Sequence, residues 1–161
     1  MVIVLIGPMG CGKTTIGEIL AEKLAWKFYD ADDYHPIANK KKMSEGIPLD
    51  DSDRIPWLEI LHQIIIDHLS NHKNMILACS ALKQSYREIL GIDQKQIHSV
   101  FLKGSFELLK RRITNRSHEY MSQELLASQL GTLEEPTAGL IVDISGTPDE
   151  TGQAIIDALI K

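Results

Sequence analysis

The sequence has little of several features that mark particular protein classes. It contains only 2 cysteines among 161 residues, Cys11 and Cys79, and neither lies in C-x-x-C spacing. A disulfide framework is therefore excluded, and a protein of the reduced cytoplasm is the simplest interpretation. Basic residues are not in excess, because 17 Lys and Arg face 22 Asp and Glu and give a formal net charge of -5. This balance argues against a dedicated nucleic-acid-binding protein.

Long apolar runs are also missing. The longest, from Val2 to Ile6, is far shorter than the roughly 20 residues that a membrane span needs. The first residues also lack the basic region and cleavage site of a secretory signal, so we expect no association with membranes. Apolar residues nevertheless make up 43% of the chain and charged residues 24%. This composition and length predict one globular domain that spans residues 1–161.

Short apolar runs alternate with stretches of helical periodicity. Continuous apolar runs are typical of strands that helices cover on both faces. The alternation therefore predicts a three-layer α/β domain with a mostly parallel sheet, in which ligands bind beyond the carboxyl ends of the strands. The expected strands are 2–6, 27–30, 75–79, 97–102 and 140–144, and the expected helices are 13–24, 53–70, 81–90, 105–115, 122–133 and 148–160.

The residues after the first expected strand match the phosphate-binding pattern G-x-x-x-x-G-K-[ST]. In this pattern backbone N–H groups and a helix N-terminus face the phosphates of a nucleoside triphosphate. Lys13 is expected to reach the β- and γ-phosphates, and the Thr14 hydroxyl to bind Mg²⁺. Thr15 is expected to add a hydrogen bond to the α-phosphate. The predicted nucleotide-binding loop consists of Gly7, Pro8, Met9, Gly10, Cys11, Gly12, Lys13, Thr14 and Thr15.

An acidic turn follows the second expected strand. Asp30, Asp32 and Asp33 place three carboxylates within four residues. Phosphoryl transfer to an alcohol needs one carboxylate near Mg²⁺ and one that takes the hydroxyl proton. Strand alternation would turn Asp30 and Asp32 to the same side and Asp33 to the other. We therefore assign Asp30 to the metal and Asp32 to the substrate hydroxyl, whereas Asp33 can also be read as a helix N-cap.

Four blocks of the sequence resemble the gluconate kinase family. They are residues 28–36 together with Asn39 and Lys42, residues 51–58, residues 78–87, and residues 125–134. The resemblance covers most of the chain. It implies transfer of the ATP γ-phosphate to gluconate, a P-loop kinase fold with a five-stranded parallel sheet, and a small mobile lid at about 116–125. It also suggests a homodimer.

Gluconate carries a carboxylate and several hydroxyls, so its site needs cations and hydrogen-bonding side chains. Surface alternatives exist for some candidates: two of Lys40, Lys41 and Lys42 belong to a solvated helix face, and Arg54 could pair with Asp51 or Asp53. Trp57 is expected in the core. The predicted substrate-binding residues are Asp32, His35, Asn39, Lys42, Arg54, Ser80, Lys83, Arg87 and His118.

A basic segment ends the helix that follows the fourth expected strand. Arg112 and Arg116 are four residues apart and therefore share one helix face. They resemble the arginine pair that stacks on adenine and clamps the phosphates in kinases of this type, which assigns Arg112 to the nucleotide and Arg116 to catalysis. Where many gluconate kinases read Gly-His-Phe-Met, this chain reads His-Glu-Tyr-Met from His118. We expect His118 to face the closed site and Glu119 to face solvent or to pair with a nearby arginine.

Two other functions fit parts of the pattern. One is another small-molecule kinase of the same fold, similar to shikimate kinase. The other is a non-catalytic module that binds a nucleotide as a switch. The blocks around His35 and Arg54 favour gluconate over shikimate. A pure switch would not need Asp32 or the cations on the substrate side.

Overall fold

A computed structural model of the chain describes residues 1–92, 94–115 and 123–161. In these residues the strands form one parallel sheet in the order β2-β3-β1-β4-β5. The predicted five-stranded parallel sheet is therefore confirmed. The strands are β1 (Val2–Ile6), β2 (Lys27–Asp30), β3 (Met75–Ala78), β4 (Ile97–Lys103) and β5 (Leu140–Asp143).

The helices agree with the predicted segments within a few residues, with two additions. Helix α2 and a 3₁₀ turn at Ala31–Tyr34 were not predicted, because the only buried residue of α2 is Asn39 and this helix has no apolar stripe. None of the helices in the described ranges combines the length and apolarity that a membrane crossing requires. The helices are α1 (Lys13–Leu24), α2 (Ile37–Ser44), α3 (Asp51–Ser70), α4 (Gln84–Leu90), α5 (Phe106–Asn115), α6 (Gln123–Thr132) and α7 (Pro148–Leu159).

The sheet is covered on both faces because alternate strand residues feed two separate hydrophobic cores. Val2, Val4 and Ile6 of β1 pack with buried side chains of α3 and α4. Ile3 and Leu5 pack on the opposite face with buried side chains of α1, α5, α6 and α7. The two-sided burial explains why β1 is a continuous apolar run.

Helix starts follow local capping chemistry. The expected start of the last helix is confirmed: Thr147 and Glu150 form a capping box, and Pro148 occupies the first turn. The interpretation of Asp33 as an N-cap is wrong. Asp30 caps the 3₁₀ turn through a bond from the Asp32 N–H, and Pro36 precedes α2.

Gly17 provides a test of the packing between α1 and β2. A Cβ built on this helical glycine would overlap the ring of Phe28. We expect Gly17→Ala to lower the free energy of unfolding by about 1–3 kcal/mol, the usual cost of overpacking, although alanine favours a helix. The control is Gly131→Ala in α6, where a Cβ has no atom within 4 Å and should be neutral or stabilising. Urea unfolding that ranks the two variants in the opposite order would contradict this packing.

Candidate active site

The phosphate loop lies between the carboxyl end of β1 and the start of α1. Gly10 and Gly12 have φ angles of 80° and 93°, which favour glycine. A Cβ on Gly10 would also approach the Leu109 carbonyl oxygen at 3.3 Å. The Lys13 Nζ atom donates to the carbonyl oxygens of Gly7 at 2.9 Å and Pro8 at 3.1 Å. The loop therefore holds its lysine close to its own backbone.

One cleft brings together several of the predicted nucleotide-binding and acceptor-binding residues. Lys13 and Thr14 lie on one side of it, and Asp30, Asp32 and Ser80 come from the ends of β2 and β3. The Gly7 N–H donates to the Ser80 carbonyl oxygen at 3.2 Å, which ties the start of the phosphate loop to the loop after β3. The remaining lining residues are Met9, Gly10, Gly12, Ala78, Cys79 and Gln129.

Thr14 and Asp30 provide neighbouring oxygen ligands. The Thr14 hydroxyl donates to Asp30 Oδ2 at 3.0 Å. In the described part of the chain, no group of three or more His, Cys, Asp or Glu side chains could hold a metal ion. This arrangement suits Mg²⁺, which usually takes one or two protein oxygens and completes its shell with water and substrate phosphates.

Asp32 lies in the cleft, but the backbone conformation that places it there was not predicted from the sequence. It lies in the 3₁₀ turn rather than in an extended strand, so the alternation argument is wrong for it. The turn still brings Asp32 into the cleft with Asp30, whereas Asp33 lines a neighbouring groove with Glu18. Partial desolvation, followed by the charge of Asp30, raises the pKa of Asp32 above its ordinary value, and Lys13 opposes this shift.

His35 lies behind Asp32 and is held between an aromatic ring and an amide. It stacks on Trp57 with ring centroids 4.2 Å apart, and Trp57 is buried in the core as expected. Asn39 Nδ2 lies 3.3 Å from His35 Nδ1, so Nδ1 accepts and the hydrogen resides on Nε2. Burial, followed by the charges of Arg54 and Lys40, lowers the pKa of His35. The ring is therefore neutral near pH 7.

A polar network centred on Tyr86 joins α3 to the loop and helix after β3. The Tyr86 hydroxyl donates to Asp51 at 2.5 Å and receives a hydrogen bond from Arg54 at 3.3 Å. Lys83 donates to Asp51 at 3.1 Å. The hydrogen bond from Tyr86, followed by that from Lys83, lowers the pKa of Asp51. Arg54 thus bonds a hydroxyl rather than the carboxylate considered from the sequence.

The other predicted substrate residues serve protein contacts. Lys42 donates to both oxygens of Asp53 at 2.9 Å, and Lys40 and Lys41 are exposed as expected. Asn39 and Arg87 are each 3% exposed. Asn39 donates to the Asp53 carbonyl oxygen. The described residues that line the phosphate cleft do not include Asn39, Lys42 or Arg87.

A second groove adjoins the phosphate loop. It contains Gly12 and Thr15 from the loop side and Arg112 from α5. The Arg112 guanidinium donates to the carbonyl oxygen of Ile144, the residue after β5, at 2.6 Å. This bond fixes the orientation of the guanidinium. The structure thus brings together the predicted nucleotide residues Thr15 and Arg112.

Sequence reasoning missed two site residues. Gln129 lines the cleft and accepts a hydrogen bond from the Met9 N–H, and Tyr86 connects Arg54 to Asp51. Both lie in the blocks that resemble gluconate kinases, and this was the only signal that could have found them. Arg116, His118 and Glu119 lie outside the described residues, as does the predicted lid apart from 123–125, which begin α6.

Comparisons with known proteins identify relatives along nearly the whole chain. Residues 9–159 match the family model for shikimate kinase. A probable gluconokinase from Xenopus tropicalis is 46% identical over 153 residues, which cover 86% of this chain and 80% of that protein. The thermosensitive gluconokinase of Escherichia coli is 37% identical and covers 95% of this chain and 86% of its own. A crystal structure of a gluconokinase from Sinorhizobium meliloti superposes with a TM-score of 0.85 at 37% identity, covering 98% of this chain and 90% of the other.

The parallel sheet, the phosphate loop and the carboxylates at the end of β2 define a P-loop kinase. The chain belongs to the shikimate kinase family and, within it, to the gluconokinases. The resemblance inferred from the sequence blocks is confirmed.

The environment of His35 predicts a pH effect on stability. The pKa of His35 in the folded protein lies below the ordinary value of 6.5, so the neutral ring contributes stability that is fully present above pH 6.5. This stability is lost as the pH falls from 6.5 through the lower pKa of the folded protein. We expect the wild-type protein to lose stability between about pH 7.5 and about pH 5.5, and His35→Gln to lose less. The exposed His72, changed to Gln, should leave the loss unchanged. Equal losses in all three proteins, measured by urea unfolding, would contradict the shift.

Proposed function

We propose that this chain is an ATP-dependent kinase that phosphorylates gluconate to 6-phosphogluconate. The observation that carries the proposal is the common cleft of Lys13 and Asp32. It places a group that stabilises phosphoryl charge beside a group that can take a hydroxyl proton. The gluconokinase relatives supply the identity of the acceptor.

On the nucleotide side, the backbone of residues 7–12 and the N-terminus of α1 would hold the phosphates. Lys13 would leave the carbonyl oxygens of Gly7 and Pro8 to contact the transferring group. Thr14 and Asp30 would hold Mg²⁺, which, when bound, offsets charge on the phosphate oxygens. Thr15 and Arg112 would bind the remainder of the nucleotide, and Arg116 stays a prediction.

On the acceptor side, Asp32 would act as general base. A gluconate hydroxyl oxygen forms a bond to the γ-phosphorus, the bond from that phosphorus to the oxygen shared with the β-phosphate breaks, and ADP leaves. The hydroxyl proton passes to the Asp32 carboxylate. The raised pKa of Asp32 suits a proton acceptor, and the neutral His35 behind it adds no competing charge.

The gluconate carboxylate needs a cation, and Arg54 is the best placed. Lys42 and Lys83 already bond Asp53 and Asp51, whereas Arg54 bonds only the Tyr86 hydroxyl among the contacts recorded for the described residues. A planar guanidinium binds a carboxylate in two parallel hydrogen bonds. Lys83 and Ser80 would contact hydroxyls, with His35, Asn39, Lys42 and Arg87 as the supporting frame. His118 stays a predicted contact.

Shikimate is the second candidate acceptor, because the matching family model is that of shikimate kinase. It also offers a carboxylate and hydroxyls to the same groups. The identities with gluconokinases over nearly the full chain favour gluconate.

We also propose a homodimer and a cytoplasmic location. Both cysteines are buried and unpaired, which suits a reducing compartment. Ile37, Met43 and Ile47 are exposed apolar side chains of α2 and the residues after it, a feature that an interface between copies would cover. A monomer mass in analytical ultracentrifugation would contradict the dimer.

The first functional prediction concerns Lys13. We expect a coupled ADP-release assay over sugar acids, shikimate and nucleoside monophosphates to show turnover with gluconate, and Lys13→Met to abolish it while the protein stays folded. The control is Lys23→Met, which removes an exposed lysine of the same helix that pairs with Asp149. Turnover with shikimate alone would transfer the assignment to that acceptor, and wild-type turnover of Lys13→Met would contradict the site.

A second functional prediction separates the acidic residues. Asp32→Asn should lower kcat about 10²-fold or more, the usual effect of losing a proton acceptor, while ATP affinity changes little. Asp33→Asn is the matched control, because Asp33 lines the neighbouring groove and should keep nearly full activity. If Asp32→Asn instead loses ATP affinity and retains kcat, Asp32 acts on the metal side and the roles of Asp30 and Asp32 are exchanged.

A further inference from the structure

Gln129 connects α6 to the phosphate loop. Its Oε1 atom accepts a hydrogen bond from the Met9 backbone N–H at 2.7 Å. The side chain is half-buried and lines the same cleft as Lys13 and Asp32. The residue therefore contacts the nucleotide loop and faces the space where phosphoryl transfer would occur.

The orientation of the Gln129 amide follows from this bond. A backbone N–H can only donate, so the atom that faces Met9 must be the amide oxygen. The amide nitrogen, with its two N–H donors, points away from that contact. Within the described ranges no hydrogen bond from Gln129 Nε2 to the protein is recorded. A cleft-lining side chain thus presents donors that no group in residues 1–92, 94–115 and 123–161 accepts from.

The segment that follows α6 is bonded to the loop and helix after β3. The N–H of Glu134 donates to the Leu82 carbonyl oxygen at 2.8 Å, and Arg87 donates to the Glu134 carbonyl oxygen at 2.6 Å. These bonds anchor the end of α6 to the loop and helix after β3. Gln129 is therefore presented from a helix that is held at both the phosphate loop and the loop after β3.

The charges in the cleft favour a neutral donor at this position. Among the lining residues placed by the structure, Lys13 is the only cation, and Asp30 and Asp32 contribute two carboxylates. Phosphate oxygens accept hydrogen bonds strongly, and an amide donates to them with no counter-charge to desolvate.

We infer that Gln129 is a further phosphate-binding residue: its Nε2 donates to a phosphoryl oxygen of bound ATP while its Oε1 holds the Met9 N–H. This inference rests on the proposed kinase function. The amide oxygen would fix the loop while the amide nitrogen contacts the nucleotide. The contribution of Gln129 to ATP affinity would therefore depend on both atoms of the amide.

Gln129→Glu and Gln129→Ala distinguish the role of the amide oxygen from that of the amide nitrogen. Glutamate keeps an oxygen for the Met9 N–H but replaces the donor with a negative charge. We expect ATP affinity and kcat/KM for ATP to fall about 10-fold in Gln129→Ala and about 10²-fold in Gln129→Glu. Lowering the pH from about 7.5 to about 5.5 should restore part of the loss in Gln129→Glu relative to wild type, because a protonated carboxyl again donates.

The control is Ser128→Ala, an exposed neighbour in α6, which should match wild type. Wild-type ATP affinity in Gln129→Glu would overturn the inference, because the Met9 bond alone would then account for the residue. So would wild-type affinity in Gln129→Ala, or equal losses in the two variants without recovery at low pH. Should Gln129→Glu not fold, Gln129→Met must still lose about 10-fold in ATP affinity.

The nucleotide readout keeps this inference separate from the identity of the acceptor. ATP affinity is measured by calorimetry with no sugar acid present. If wild-type protein binds ATP but does not phosphorylate gluconate, the proposed function fails while the ranking of the Gln129 variants still decides the inference.

Discussion

The hydrogen bond from the Gly7 N–H to the Ser80 carbonyl oxygen marks the constraint on which the site depends. The strand order β2-β3-β1 places three carboxyl ends side by side, and this bond closes the gap between two of them. The nucleotide loop after β1, the acceptor loop after β3 and the carboxylates after β2 therefore converge at one edge of the sheet. Parallel pairing makes this possible because all carboxyl ends meet at one edge.

The walls of the cleft are held by polar bonds as well as by the hydrophobic core. Buried apolar side chains position the strands, and the loops beyond them are further held by buried hydrogen-bond donors. Arg87 bonds the Ala81 carbonyl oxygen, and Trp57 bonds the Ala31 carbonyl oxygen at 2.7 Å. Each buried donor satisfies a loop carbonyl that no strand partner can reach. Residues that resemble substrate ligands in the sequence can therefore serve as the frame of the site.

Sequence patterns predicted the parts of this protein whose signals are local. The apolar run of β1, the glycines of the loop and the capping residues at Thr147 each determine their own conformation. The 3₁₀ turn that carries Asp32 has no such signature, and α2 has no apolar stripe. Gln129 acts across 120 residues of sequence, so only the folded chain shows its contact with Met9. Pairings of this kind depend on topology, which composition and spacing do not encode.

The charged side chains around the site differ between the nucleotide side and the acceptor side. On the nucleotide side, Asp30 and Asp32 lie in one cleft, and partial desolvation, followed by the charge of Asp30, raises the pKa of Asp32. A cation that arrives with the nucleotide would oppose this shift. On the acceptor side, Lys83 is matched by Asp51, and Arg54 bonds the Tyr86 hydroxyl. An anionic acceptor could therefore pair with Arg54 without breaking an existing ion pair.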